Sequence, residues 1–103
     1  MAGLWLNLKG YRILGRRIRT PVGELDVVAL SPGGILCFVE VKARKGVDEA
    51  ILAPSPHQQA RIARAAEYFL HAHPSLQAKP IRFDVVLISH FRLPSHVKDA
   101  WRM

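Results

Sequence analysis

The residues most able to do chemistry in this sequence are two acids and a lysine, which lie in two short segments. Asp26 closes the tetrapeptide Gly-Glu-Leu-Asp (23–26), and thirteen residues then separate it from Glu40, Val41 and Lys42. Carboxylate and carbonyl oxygens are the ligands that Mg²⁺ prefers, and the ion keeps several waters. We therefore predict that Asp26, Glu40 and the backbone carbonyl of Val41 hold Mg²⁺, with Mn²⁺ as a possible substitute.

Lys42 follows Glu40 by two residues, so in a β-strand both side chains point to the same face. A compact cation there could position an attacking water or stabilise the charge that develops on phosphorus. The pattern thus predicts metal-assisted, in-line hydrolysis of a phosphodiester, with Asp26, Glu40 and Lys42 as catalytic residues. Glu24, two residues before Asp26, is a candidate supporting group or outer ligand.

Two β-rich runs must position these residues. Residues 24–30 and 35–43 are separated by Ser-Pro-Gly-Gly (31–34), a tight connection that predicts a hairpin. Side chains alternate between faces along a strand, which places Glu24, Asp26, Val28 and Leu30 on one side of the first strand. Leu36, Phe38, Glu40 and Lys42 share a side of the second strand. In the ordinary register, Asp26 and Glu40 can converge.

A Glu-x-Lys triplet alone is a weak signal, since a surface strand with a neighbouring ion pair has the same pattern. Here the triplet follows Leu-Cys-Phe-Val (36–39), which is apolar on both faces. Charges next to a buried strand are costly unless they are paired or bind a metal. The context therefore favours a functional site over a surface ion pair.

The rest of the chain predicts an α/β domain. Gly10 would end a short helix, residues 11–19 read as a strand, and residues 81–89 as a buried strand. Ser55 is a good N-cap for a helix that starts at Pro56 and stops before Pro74. Arg61 and Arg64 lie on one face of that helix, where such residues are more often solvated than bound to phosphate. The tail after His90 has no clear period and predicts a short helix or a loop.

Composition points to a polyanionic partner. Fifteen Lys and Arg against eight Asp and Glu give a formal charge of +7 and a pI near 10.3. Much of the excess lies in two clusters, from which we predict nucleic-acid contacts by Arg16, Arg17, Arg19, Arg44 and Lys45.

Cys37 is the only cysteine and lies in an apolar run, which favours a buried thiol and a cytoplasmic protein. No apolar stretch approaches the roughly 20 residues that span a bilayer, so we expect no membrane association.

Other chemistries have weaker support. The five histidines lack zinc spacing and are predicted to lie mostly at the surface; they are His57, His71, His73, His90 and His96. The chain has neither a phosphate-binding Gly-x-x-x-x-Gly-Lys loop nor a Gly-x-Ser-x-Gly elbow, which excludes the corresponding nucleotide and hydrolase motifs. Asp84 is a polar residue in an apolar strand, and we expect it to pair with Arg82 or a nearby Arg rather than join catalysis.

Four segments carry a family resemblance: GYRIL (10–14), GELDVVA (23–29), FVEVK (38–42) and RFDVV (82–86). They resemble the YraN-like family of uncharacterised predicted endonucleases, uncharacterised protein family 0102, over most of the chain. That family is similar to Holliday-junction resolvases and to the wider PD-(D/E)xK nucleases. The resemblance implies a restriction-endonuclease-like, three-layer α/β/α fold with a central mixed sheet, and Mg²⁺-dependent cleavage. By the same resemblance, Asp26 and Glu40 match the two metal-binding acids and Lys42 matches the lysine.

The sequence departs from the family pattern in two places. Relatives usually begin with a longer helix containing Gly-x-x-x-Glu, whereas residues 1–10 contain no Asp or Glu, so the amino-terminal helix is expected to be truncated. The family also tends to have Lys-Gln before its long helix, where this chain has Gln58 and Gln59. Gln59 matches and is a candidate supporting residue.

We therefore expect a single domain over residues 1–103 that acts as a metal-dependent endonuclease on DNA, with branched or structured DNA among its candidate substrates. A homodimer would suit a two-fold symmetric substrate such as a four-way junction. One alternative is a non-catalytic DNA-binding module that keeps the fold but has lost turnover. A third possibility is a scaffold whose carboxylates satisfy neighbouring arginines.

Overall fold

The computed structural model describes residues 2–43, 54–89 and 93–102. In this part of the chain, five strands form one sheet in the order β1-β2-β3-β4-β5. All neighbouring strands are antiparallel except β3 and β4, which are parallel, so the sheet is mixed. The elements are α1 (Ala2–Leu8), β1 (Arg12–Thr20), β2 (Gly23–Leu30), β3 (Leu36–Ala43), α2 (Pro56–Ala72), a 3₁₀ turn (Pro74–Leu76), β4 (Ile81–Ile88) and β5 (Ser95–Trp101).

The predicted hairpin is confirmed. Strands β2 and β3 pair from Leu30 and Leu36 at the turn to Val27 and Val39. Within the turn the Ser31 hydroxyl accepts the backbone N–H of Ile35 at 3.0 Å. Gly34 has a φ of +87°, a left-handed conformation that glycine adopts without a Cβ clash.

Helix α2 is also confirmed, and its start is fixed by a capping box. The Ser55 hydroxyl accepts the N–H of Gln58 at 3.2 Å, and the Gln58 side-chain oxygen accepts the N–H of Ser55 at 3.3 Å. Pro56 occupies the first turn, where it needs no hydrogen-bond partner. The helix lies between the parallel strands β3 and β4 in the chain, as a crossover connection requires.

The two helices cover opposite faces of the sheet. Buried residues from α2, including Ala65 and Phe69, pack with Phe38 and other side chains of one face. Leu6 of α1 packs in a second cluster with the other face of β2, β3 and β4, which includes Val39. The molecule thus has the restriction-endonuclease-like three-layer α/β/α architecture. No helix among the residues described here is long and apolar enough to cross a membrane.

Two expectations about the strands need correction. The tail forms strand β5 rather than a short helix or loop, and it pairs antiparallel with β4. Its register shifts opposite Phe83 and Val85, and Asp99 adopts a left-handed φ of 53°, so the segment lacks a regular period. On β2, Leu25 and Val28 both pack beneath α2 although they are three residues apart, so the predicted alternation of faces is interrupted around Asp26.

Candidate metal centre

The end of the β2–β3 ladder positions Asp26. Regular pairing extends as far as Val27 and Val39, and Asp26 is the next residue of β2 beyond it. There its carboxylate oxygen Oδ2 accepts the backbone N–H of Val41 at 2.9 Å. This bond from a side chain ties Asp26 to the Glu40-Val41-Lys42 segment of β3.

Glu40 lies beside Asp26, and the two carboxyl groups share a hydrogen bond. Partial burial, the negative charge of Asp26 and that hydrogen bond raise the pKa of Glu40 to about 7, while the positive charge of Lys42 opposes the rise. A carboxyl group with this pKa next to a second carboxylate is typical of functional sites, because the fold holds together charges that repel.

Lys42 belongs to the same group of charges. It is half-buried on β3, opposite Leu87 of β4, and its charge acts on the carboxyl group of Glu40. The structure therefore brings together Asp26, Glu40 and Lys42, which lie sixteen residues apart at most in the sequence.

The carboxylates open onto a cleft of about 220 Å³ between the sheet and α2. Glu24 lines this cleft too, although its carboxylate also forms an exposed ion pair with Arg19 at 3.6 Å. Gln59 does not line it, because its amide donates to the carbonyl of Pro54 at 2.9 Å. Gln58, its neighbour in the helix, lines the cleft instead. The lining residues are Gly23, Glu24, Asp26, Glu40, Gln58, Arg61 and Ile62.

Asp26 also borders a larger cavity, of about 690 Å³, on the α1 side of the sheet. Arg16 and Arg17 of β1 line this cavity, so two of the predicted nucleic-acid contacts lie near the carboxylate pair. Arg17 has a left-handed φ of 50°, which is uncommon for a residue other than glycine. Arg19 pairs with Glu24 at the far end of β1, and Arg44 and Lys45 lie outside the described residues.

The donor set suits a hard, oxygen-binding cation. Two adjacent carboxylates would be relieved of their repulsion by a divalent ion, and Mg²⁺ needs only one or two of them because it retains waters. In the described ranges no group of three or more His, Cys, Asp or Glu residues could hold a metal, so an ion at this site would rest on two carboxylates, a backbone carbonyl and waters. Asp26 and Glu40 therefore fit a magnesium site.

A second polar cluster surrounds Asp84, which is fully buried. Arg82 donates two hydrogen bonds to its carboxylate at 2.8 Å, as expected from the sequence, and the N–H of Asp99 donates a third at 2.9 Å. His96 Nε2 lies 2.8 Å from the same carboxylate. Burial alone would raise the pKa of Asp84, but the hydrogen bonds from His96, Arg82 and Asp99 outweigh it and lower the pKa to about 2.

His96 corrects the expectation of surface histidines, because its side chain is only 2% exposed. It bonds to Asp84 on one side and accepts from Lys9 Nζ on the other at 2.8 Å. The pairing of β4 with β5 buries it, a contact that no local pattern signals. His57, His71 and His73 are exposed as predicted, and His90 lies outside the described residues.

Fold and site together define a restriction-endonuclease-like α/β domain with an acidic pair and a lysine on its central hairpin. The chain belongs to uncharacterised protein family UPF0102, whose model matches residues 1–88. It is 46% identical to a UPF0102 protein of Paramagnetospirillum magneticum over 100% of this chain and 82% of the relative. It is 49% identical to UPF0102 proteins of Parvibaculum lavamentivorans (99% and 76% covered) and Nitrobacter winogradskyi (97% and 84% covered).

Proposed function

We propose that this protein is a metal-dependent endonuclease that hydrolyses phosphodiester bonds of DNA. The observation that carries the proposal is the pair of adjacent carboxyl groups, Asp26 and Glu40, with a raised pKa at Glu40 and Lys42 beside them. Two neighbouring carboxyl groups that line an open cleft are more typical of a functional site than of a purely structural ion pair.

Each residue has a separate role in this proposal. Asp26 and Glu40, with the backbone carbonyl of Val41, hold Mg²⁺ or Mn²⁺. The bound ion supplies Lewis acidity toward the phosphate and lowers the pKa of water. Lys42 positions the attacking water by hydrogen bonding, and the N–H of Val41 keeps the Asp26 carboxylate directed toward β3. Glu24 supports the site from the edge of the cleft, and Gln59 acts only indirectly, through its bond to the carbonyl of Pro54 at the start of α2.

DNA is the proposed substrate because the net charge of +7 favours a polyanion and arginines border the site. Arg16 and Arg17 would contact phosphates in the larger cavity, and Arg19 would contact the strand from the end of β1. Arg44 and Lys45 are proposed phosphate contacts on the basis of the sequence. Branched DNA and a homodimer are parts of the same proposal. We also propose a cytoplasmic location, which suits a protein whose single cysteine is a buried free thiol.

The test is cleavage of labelled linear duplex, single-stranded and four-way-junction DNA in Mg²⁺, Mn²⁺ or EDTA. Asp26→Asn, Glu40→Gln and Lys42→Ala should each abolish product while leaving the fold intact by circular dichroism. Matched controls are Glu67→Gln, which removes an exposed acid of α2, and Lys79→Ala, which removes a lysine after the 3₁₀ turn. Both controls should cut like the wild type.

The alternatives give different results in the same assay. If the wild type yields no product on any substrate and with either metal, yet binds DNA with a steep salt dependence, the protein is a non-catalytic DNA-binding module. Weak binding that does not change with salt would identify a scaffold whose carboxylates only satisfy neighbouring arginines.

A further inference from the structure

The cleft at the acidic pair has two walls of different character. The sheet wall contributes three acids, Glu24, Asp26 and Glu40, whereas the wall formed by α2 contributes Gln58 and Arg61 among its polar residues. Arg61 is the only basic residue among those that line this cleft in the described ranges. Its side chain is exposed, and no hydrogen bond or ion pair of its guanidinium occurs among the described contacts.

The approach of α2 to β2 places Arg61 there. A Cβ on Gly23 would lie 3.4 Å from the carbonyl oxygen of Arg61 and 3.7 Å from the Cβ of Ala65, so the helix rests directly on the start of β2. The capping box at Ser55 fixes the first turn, and Gln58 and Arg61, three residues apart, share the face toward the cleft.

The acidic residues of the cleft favour a positive group on the wall formed by α2. A phosphodiester that enters the cleft meets three acidic side chains. On the sheet side, Lys42 acts on Glu40 and Arg19 pairs with Glu24, so α2 is the wall from which a further positive group can face the strand. Repulsion from the carboxylates opposes its approach unless a positive group faces them. A guanidinium presents a planar fork of donors that matches two phosphate oxygens.

We propose that Arg61 binds a backbone phosphate of the DNA strand inside this cleft and that α2 forms the second wall of the substrate site. The inference rests on the proposed function, because it assumes that the strand reaches the acidic pair. The sequence alone places Arg61 and Arg64 on one helix face and favours solvated side chains over phosphate contacts, so the cleft is what distinguishes Arg61 from Arg64.

Arg64 provides a matched comparison. It is exposed on the same helix less than one turn later, but it does not line the cleft, and its Nε makes only a long 3.4 Å bond to the carbonyl of Ala60. Arg61→Ala and Arg64→Ala therefore remove the same charge from the same helix. Both should keep the thermal unfolding temperature of the wild type within about 4 °C, because they are exposed helix substitutions with little effect on stability.

The experiment measures the affinity for a labelled DNA duplex by fluorescence anisotropy across a series of salt concentrations. Ca²⁺ replaces Mg²⁺ so that binding is measured without cleavage, and a gel confirms that the DNA stays intact. Arg61→Ala should weaken binding about tenfold, the loss of one charge-assisted contact. It should also make the slope of log K against log salt shallower by about 0.9, as expected when one phosphate contact is removed. Arg61→Lys should recover part of the affinity because it restores charge without the fork.

Arg64→Ala should bind like the wild type in affinity and slope. If Arg61→Ala bound DNA with the affinity of the wild type, the inference would be overturned, because Arg61 would make no contact. Equal losses of affinity in Arg61→Ala and Arg64→Ala would also overturn it, because the effect would then be due to overall charge. Cleavage in Mg²⁺ separates this failure from failure of the nuclease proposal. If the wild type cuts and Arg61→Ala binds and cuts equally well, only the inference fails; if the wild type never cuts but Arg61→Ala alone loses affinity, only the nuclease proposal fails.

Discussion

The Asp26 carboxylate accepts a hydrogen bond from the backbone N–H of Val41 at 2.9 Å, just where the regular pairing of β2 with β3 ends. The bond does two things at once. It satisfies a main-chain donor that lacks its ladder partner, and it holds a negative charge beside Glu40. Stability and chemistry thus depend on different properties of one side chain, its acceptor oxygen and its charge.

Substitutions at Asp26 can separate these properties. Asp26→Ala leaves the N–H of Val41 without its partner and should lower the free energy of unfolding by about 1 kcal/mol, whereas Asp26→Asn keeps an acceptor and should lower it less. Urea unfolding in EDTA at pH 5 measures the difference, because Glu40 is then largely protonated and its repulsion by Asp26 is small. Equal stabilities for the two variants would show that the hydrogen bond contributes nothing.

Glu40 should make stability depend on pH in the metal-free protein. Its pKa is raised from 4.5 to about 7, so the folded state favours the protonated form. The wild type should therefore lose stability as pH rises from 4.5 to 7 and stay level above that, relative to Glu40→Gln, which carries no charge. After allowance for solvent screening we expect Glu40→Gln to be about 1 kcal/mol more stable at pH 8 and no more stable at pH 4.

Thermal unfolding in EDTA across this pH range measures the effect, with Glu67→Gln as the control for loss of an exposed acid. Addition of Mg²⁺ at pH 8 should raise the unfolding temperature of the wild type but not that of Glu40→Gln, since binding to the folded state stabilises it. A pH-independent difference between Glu40→Gln and the wild type would contradict the raised pKa.

Asp84 should produce the opposite dependence in acid. Its pKa is about 2, below the ordinary 3.8, so its stabilising effect is present above pH 4 and is lost as pH falls toward 2. Asp84→Asn breaks a buried ion pair with Arg82 and should cost about 3–5 kcal/mol at neutral pH. Urea unfolding at pH 7 and at pH 3 measures both effects, and the cost should be smaller at pH 3.

Asp99→Asn is the control for this experiment. Asp99 is exposed, pairs with Arg102 and has a left-handed φ that asparagine tolerates. Its substitution should change stability by less than about 1 kcal/mol, as for other surface ion pairs. If Asp84→Asn and Asp99→Asn lower the free energy of unfolding equally, the burial of Asp84 does not strengthen its contribution to stability.

The hairpin, helix α2 and the acidic pair can be predicted from the sequence because each follows from a local pattern. Turn residues, an N-cap serine followed by proline, and two-residue spacing act within a few positions of the chain. The cluster at Asp84 depends instead on contacts such as Arg82 with Tyr11 and His96 with Lys9, which are 71 and 87 residues apart. Strand β5 likewise depends on distant contacts: its register shift removes the alternation of side chains, and pairing with β4 holds the segment in an extended conformation.

Finally, the cap of α2 should affect the cleft as well as the helix. Ser55→Ala removes the acceptor for the N–H of Gln58 and should lower the free energy of unfolding by about 1 kcal/mol, whereas Ser55→Asp keeps an acceptor and should lower it less. Ser75→Ala, an exposed serine of the 3₁₀ turn, should leave stability unchanged. Because the first turn of α2 carries Gln58 and leads to Arg61, Ser55→Ala should also weaken DNA binding slightly. Urea unfolding and anisotropy on the same samples measure both, and a Ser55→Ala protein as stable as Ser75→Ala would show that the capping box does not hold the helix start.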